Sequence, residues 1–218
     1  GFYLGNNKSG YVGVNYDVTD FLNFDRSNVI VVRVDATQYE GWFYEGAGIY
    51  RHVWLNSYPN THIATDGVFA YANINGNKAT LNVETTVANE YTAAGNYSIN
   101  TYLTDRSGVK ISAAKEASLS LNTNEEKTIR QIVNVANPTL WSLENPYLYR
   151  VVVELKQNGK IIDQQKIRFG FRTIETKGQD ILLNGKSVFL RGISLHDENP
   201  LVPGRLRGQG DMRMMLQW

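Results

Sequence analysis

Leu81-Asn82-Val83-Glu84-Thr85-Thr86-Val87 is the stretch whose reading decides the fold. Successive side chains of an extended strand point to opposite faces. Leu81, Val83, Thr85 and Val87 therefore line one face, and Asn82, Glu84 and Thr86 the other. The same period returns in Tyr97, Ile99, Thr101 and Leu103, closed by the turn Asp105-Arg106-Ser107-Gly108. It returns again in Tyr149, Val151, Val153 and Leu155, whose opposite face carries Arg150, Glu154 and Lys156. A turn at Gln157-Asn158-Gly159-Lys160 sends the chain back as Ile161 to Phe171. From His62 to Arg172 strands recur roughly every 8–14 residues, the spacing of an all-β sandwich.

The composition bounds the rest. At 218 residues the chain has room for one large or two small domains. Hydrophobic residues at 42% can fill a core, and 22 basic against 21 acidic residues leave a net charge of +1. No global field then steers nucleic acid or an anionic membrane. The absence of cysteine removes disulfides, thiolate catalysis and cysteine-based zinc sites. It leaves the compartment open. No apolar run approaches the roughly 18–20 residues of a membrane span, and no signal peptide opens the text.

On the amino-terminal side, Val29-Ile30-Val31-Val32-Arg33-Val34 reads as a strand covered on both faces. Tyr58-Pro59-Asn60 marks a boundary. On the carboxyl-terminal side, Asp180-Ile181-Leu182-Leu183 and Val188-Phe189-Leu190 flank Asn184-Gly185, a type I′ hairpin signal because both positions tolerate positive φ. The second of these strands is expected to be buried. It leads into the polar loop His196-Asp197-Glu198-Asn199, ended by Pro200, and Asp211 is placed to cap a helix over 212–218.

Three motifs in this order resemble glycoside hydrolase family 2, the β-galactosidase and β-glucuronidase family. Gly48-Ile49-Tyr50-Arg51-His52-Val53-Trp54-Leu55, after Val29–Asp35, resembles the closing strands of its amino-terminal jelly roll. Pro138 to Tyr149 resembles the Leu-Trp-Ser-Pro-Glu-x-Pro-Tyr-Leu-Tyr run of its immunoglobulin-like domain, with Leu143 in place of the usual proline. Gly170-Phe171-Arg172-Thr173-Ile174-Glu175 resembles the exit from that domain, and Phe189 to Pro200 the first strand and loop of the catalytic barrel. The resemblance implies part of a jelly-roll sandwich over 1–59, an immunoglobulin-like β-sandwich over 60–172, and over 173–218 the first strand and helix start of a truncated (β/α)₈ barrel. A jelly roll takes about eight strands and a barrel about 250 residues, so the chain is expected to be an internal piece of a longer protein.

The same resemblance implies hydrolysis of terminal β-linked sugars with retention, with β-galactosides the expected substrates. Retention needs two carboxyls about 5–5.5 Å apart. Asp197 and Glu198, as neighbours in an extended segment, face apart, and the family's two catalytic glutamates fall beyond Trp218, so no catalytic residue is expected within the chain. His196 matches a histidine at the floor of the sugar subsite, where an imidazole can bond a pyranose hydroxyl. Asp197 beside it, and Asp35 after the jelly-roll strand, are the other expected substrate contacts. Arg191 on the barrel strand is expected in an ion pair, and Trp42, Phe43, Tyr44 and Trp54 in sandwich cores. No cofactor or metal site is expected in the chain, although a divalent or sodium ion can join the whole enzyme. The expected partner is a carbohydrate substrate, with no nucleic acid or membrane, and self-association is open through an apolar edge at 180–195. The rival reading is a non-catalytic β-sandwich module that binds glycan or scaffolds a larger assembly.

Overall fold

The computed structural model describes residues 1–9, 12–35, 37, 48–49, 52–91, 93–195, 199, 201, 206 and 208–217. They fall into two compact units, Trp54–Ile193 on one hand and Gly1–Val53 with Ser194–Trp218 on the other.

The first unit is built on eight antiparallel strands: β1 (Thr61–Asn75), β2 (Lys78–Asn89), β3 (Gly95–Thr104), β4 (Lys110–Ala113), β5 (Ala117–Leu121), β6 (Glu125–Ala136), β7 (Tyr149–Gln157) and β8 (Lys160–Phe169). One sheet runs β1-β2-β6. The other runs β4-β3-β7-β8, with β5 also on β3. This is the strand order of an immunoglobulin-type sandwich. The period-two faces read from the sequence are the inner faces: Leu81, Val87, Ile99, Leu103, Val133, Val151, Val153 and Leu155 are all fully buried between the sheets. Each such side chain contributes about 1.5–3 kcal/mol by leaving water.

Polar groups tie the layers together. Thr101 donates its hydroxyl to Gln131 Oε1 across the core at 2.7 Å, and Gln131 Nε2 donates to the carbonyls of Ile99 (3.1 Å) and Lys115 (2.9 Å). At one edge Ile63 N donates to Asp163 Oδ2 at 2.8 Å, and Gln165 Nε2 to the Ile63 carbonyl at 3.2 Å, joining β1 to β8. A bulge interrupts β1, which advances from Ile63 to Val68 while β2 moves only from Val87 to Thr85. Gly67 sits in that bulge, and a Cβ there would lie 2.7 Å from the Ala64 carbonyl.

The Pro138–Tyr149 motif has a physical explanation. Tyr149 opens β7, and its hydroxyl accepts the Thr139 N–H at 2.9 Å, a tyrosine corner. Its ring meets Tyr147 at 4.8 Å and packs edge-on against Phe171 at 5.2 Å. Trp141 N donates to the Phe171 carbonyl at 2.8 Å, and Leu140 bridges Phe171. The two motifs are two halves of one aromatic cluster, which closes the sandwich without a disulfide. Leu143 is exposed, so losing the usual proline disturbs no packing.

A small three-stranded sheet of order β11-β10-β9 follows, from β9 (Ile174–Lys177), β10 (Asp180–Leu183) and β11 (Lys186–Val188). Its turn is of type I′: Asn184 has φ 51° and Gly185 φ 76°. Asn184 does more than turn the chain. Its Oδ1 accepts the Thr173 N–H at 3.0 Å and its Nδ2 donates to the Trp141 carbonyl at 2.9 Å, pinning the hairpin to the sandwich.

Three expectations need correction. The strand after the turn ends at Val188 and is not buried: Phe189, Leu190 and Ile193 are exposed and carry no ladder among the described residues. Val29–Val34 likewise forms no strand, and its apolar side chains are exposed. In both, β-branched or apolar composition is present but the described residues supply no hydrogen-bonded neighbour, and composition alone does not make a strand. The helix, α1 (Gln209–Gln217), starts ahead of Asp211, which lies in its first turn instead of capping it. Asp211 still complements the positive end of the helix there.

Candidate functional site

Of the three residues expected to touch sugar, His196 and Asp197 lie outside the described residues, as does Glu198. Asp35 is described. Its Oδ1 accepts both the hydroxyl (2.7 Å) and the N–H (3.2 Å) of Thr37, and its Oδ2 faces Arg33 Nη2 at 3.3 Å. The Thr37 hydroxyl, then the Thr37 N–H, holds the Asp35 carboxyl below its ordinary value. It is an ionised, exposed acceptor with one oxygen engaged in its own turn.

Trp42, Phe43 and Tyr44 lie outside the described residues. Trp54 is exposed, contrary to a core role, because residues 52–60 form no strand that could carry it into a layer. Arg191 is also exposed, and none of the ion pairs among described residues includes it. Among the described residues no group of three or more histidine or acidic side chains is placed to hold a metal ion.

The most developed polar site lies where sequence reasoning did not look, on the outer face of the β4-β3-β7-β8 sheet. Glu154 is buried there, on the face of β7 opposite the core. Asn100 Nδ2 donates to its Oε2 at 2.8 Å, and the Tyr102 hydroxyl (2.9 Å) and Gln164 Nε2 (3.2 Å) donate to its Oε1. Burial, the largest single influence, favours the neutral acid. The bonds from Asn100, Tyr102 and Gln164, with Lys156 nearby, outweigh it and keep the carboxyl below its ordinary value. Burial and then Glu154 push the Tyr102 phenol up. An ionised carboxylate has no proton to give, and three of its roughly four acceptor positions are taken; its role is to order the sheet face. The available signal was position: β7 is central, so its outward side chains are flanked on both sides. Next to it a shallow depression of about 510 Å³ is lined by Asn96, Ser98, Ser118, Ser120 and Lys156. Two of its hydroxyls are engaged, Ser98 with Glu116 and Ser120 with Asn96, both at 2.6 Å. Among the described residues no helix is long and apolar enough to cross a membrane.

The described architecture defines a class, a cysteine-free two-sheet antiparallel sandwich closed by an aromatic corner. The family model for glycosyl hydrolases family 2 matches residues 61–172, the sandwich itself. The chain belongs to that family. It is 31% identical over 201 residues to a β-galactosidase of Bacteroides ovatus, covering 91% of this chain and 24% of that protein. It is 28% identical to a β-glucuronidase of Formosa agariphila, over 88% of this chain and 22% of that protein. A crystal structure of a family 2 member from Bacteroides cellulosilyticus superposes with a TM-score of 0.86 at 33% identity, over 93% of this chain and 28% of that one. The chain thus spans about a quarter of the length of the relatives it matches.

Proposed function

We propose that the chain is part of a retaining glycoside hydrolase acting on terminal β-linked sugars, β-galactosides first among them, and that the chain alone does not turn over. The observation that carries this reading is sequence similarity to a β-galactosidase across nine-tenths of the chain, within a shown glycosidase family.

In this reading residues 1–59 are the end of a jelly roll, residues 60–172 a sandwich that holds its neighbours in register, and residues 173–218 the beginning of a barrel. His196 and Asp197 would bond hydroxyls of the sugar beside the cleaved bond, and Asp35 a more distant hydroxyl. Leaving-group protonation and the covalent sugar intermediate need two carboxyls across the scissile bond. Asp197 and Glu198, adjacent in sequence, do not suit that separation, so the pair is assigned to the remainder of the whole enzyme. Binding groups without the pair give no hydrolysis. The 218-residue chain should leave nitrophenyl β-galactoside and β-glucuronide intact, while the protein of its whole reading frame cleaves the galactoside with retention. Turnover by the 218-residue chain that Asp197→Asn or Glu198→Gln abolishes would overturn the assignment.

A further inference from the structure

We propose that the outer face of the β4-β3-β7-β8 sheet binds an acidic glycan, a sugar chain bearing carboxylate or sulfate groups, through Lys110, Arg150, Lys166 and Arg168. This goes beyond the catalytic reading and does not depend on which sugar the whole enzyme cleaves.

The register places the four cations together. Thr104 on β3 pairs with Lys110 on one side and Arg150 on the other, and Arg150 pairs with Arg168. One step along, Val152 pairs with Lys166. Directly opposed residues share a face, so these side chains form one basic patch, and all four are exposed. None enters any of the ion pairs between described residues. Glu154, on the same face, is already bonded to Asn100, Tyr102 and Gln164.

The patch works against the stability of its own sheet. Like charges directly opposed across strands are destabilising, and Arg150 faces Arg168 with no carboxylate between them to relieve the repulsion. An external anion would relieve it. Guanidinium forks take carboxylate and sulfate in two-point bonds, and adjacent strands lie about 4.8 Å apart. That spacing is close to the advance of one ring along an extended sugar chain, so neighbouring anions can meet Arg150 and Arg168 on the adjacent strands β7 and β8, and an anion further along can reach Lys110 beyond β3.

The rest of the face selects the class of polymer. Protein partners are held by aromatic or aliphatic anchors seated in pockets, yet Val152, the apolar side chain between the cations, is only 2% exposed. Single-stranded nucleic acid needs open rings on which bases stack, and the Tyr102 ring carries Lys110 Nζ 4.9 Å from its centre. Charges on a flat, hydroxyl- and amide-bearing surface suit a hydrophilic polyanion.

The test is calorimetric titration of the 218-residue chain at low salt with a chondroitin sulfate hexasaccharide, a neutral galacto-oligosaccharide of equal length, and short duplex DNA. Saturable binding of the sulfated chain alone is expected, weakening with added salt. The double variant Arg150→Gln with Arg168→Gln should weaken it about tenfold or more, and Arg130→Gln on the other sheet should leave it unchanged. Without ligand the double variant should melt no earlier than the parent, since a repulsion has been removed. The proposal fails if the sulfated chain does not saturate, if the double variant binds equally, if DNA binds as tightly, or if the double variant melts earlier and so marks the arginines as structural.

Discussion

Two runs of β-branched residues in this chain end in opposite environments. Val151, Val152 and Val153 on β7 are buried on both faces, inward by the opposite sheet and outward by Tyr102, Glu154 and their neighbours. Val29, Ile30, Val31 and Val32 carry the same kind of side chain, yet Val31 is 86% exposed. The difference is the ladder. β7 lies between β3 and β8 and is paired with both along most of its length, whereas no strand pairs with 29–34 among the described residues. Composition makes a strand possible; a neighbour on each side makes it a core.

The largest consequence concerns the aromatic corner. Phe171→Ala should cost the sandwich about 3–5 kcal/mol, because the ring is fully buried and both Tyr149 and Phe169 pack edge-on against it. Val31→Ala should stay within about 0.5 kcal/mol. Urea unfolding of both variants sets the two regions side by side, and equal losses would erase the contrast.

Next comes the buried amide between the sheets. Gln131→Leu removes both donors to the Ile99 and Lys115 carbonyls and the acceptor for Thr101. About 1–3 kcal/mol should be lost for groups left buried and unbonded. Thr101→Val together with Gln131→Leu should recover part of it, which a thermal-melt comparison of single and double variants reads directly.

Acid sharpens the comparison on the outer face. The Glu154 carboxyl titrates below its ordinary value in the folded state. Its stabilisation is therefore present above the ordinary carboxylate range and is lost as pH falls through the lower folded value. Glu154→Gln should flatten the loss of stability in that acid window. An unchanged acid limb in the variant would assign the loss to other carboxylates.

A smaller effect is expected at the pin between hairpin and sandwich. Asn184→Ala removes two side-chain bonds and places alanine at positive φ, costing about 1–2 kcal/mol. The loss should be local, seen as faster proteolysis after Lys177 or Lys186 while the sandwich midpoint hardly moves.

What was legible follows from how far each signal reaches. The inner faces of β2, β3 and β7 were readable because alternation is local and the register keeps one face inward. The turns at Asn158-Gly159 and Asn184-Gly185 were readable because positive φ is a property of two residues; the structure gives 51° and 76° at both pairs. Burial of Val152 and Glu154 was not, since it depends on side chains contributed by β3 and β8. The bulge at Asp66-Gly67 was not, since it is set by where β1 meets β2. Val29–Val34 misled for the same reason: its text describes a strand and says nothing of a partner. Asp35 was read as a sugar contact, and its bonds to Thr37 and Arg33 were not foreseen.

Amide hydrogen exchange of the intact chain tests this account most directly. The amides of Val151, Val153, Ile99 and Val83 should be protected to the full unfolding free energy of the sandwich, while those of Ile30 to Val34 and of Leu190 to Ile193 exchange nearly as fast as in an unstructured peptide. Protection of Ile30 to Val34 equal to that of Val151 would contradict it.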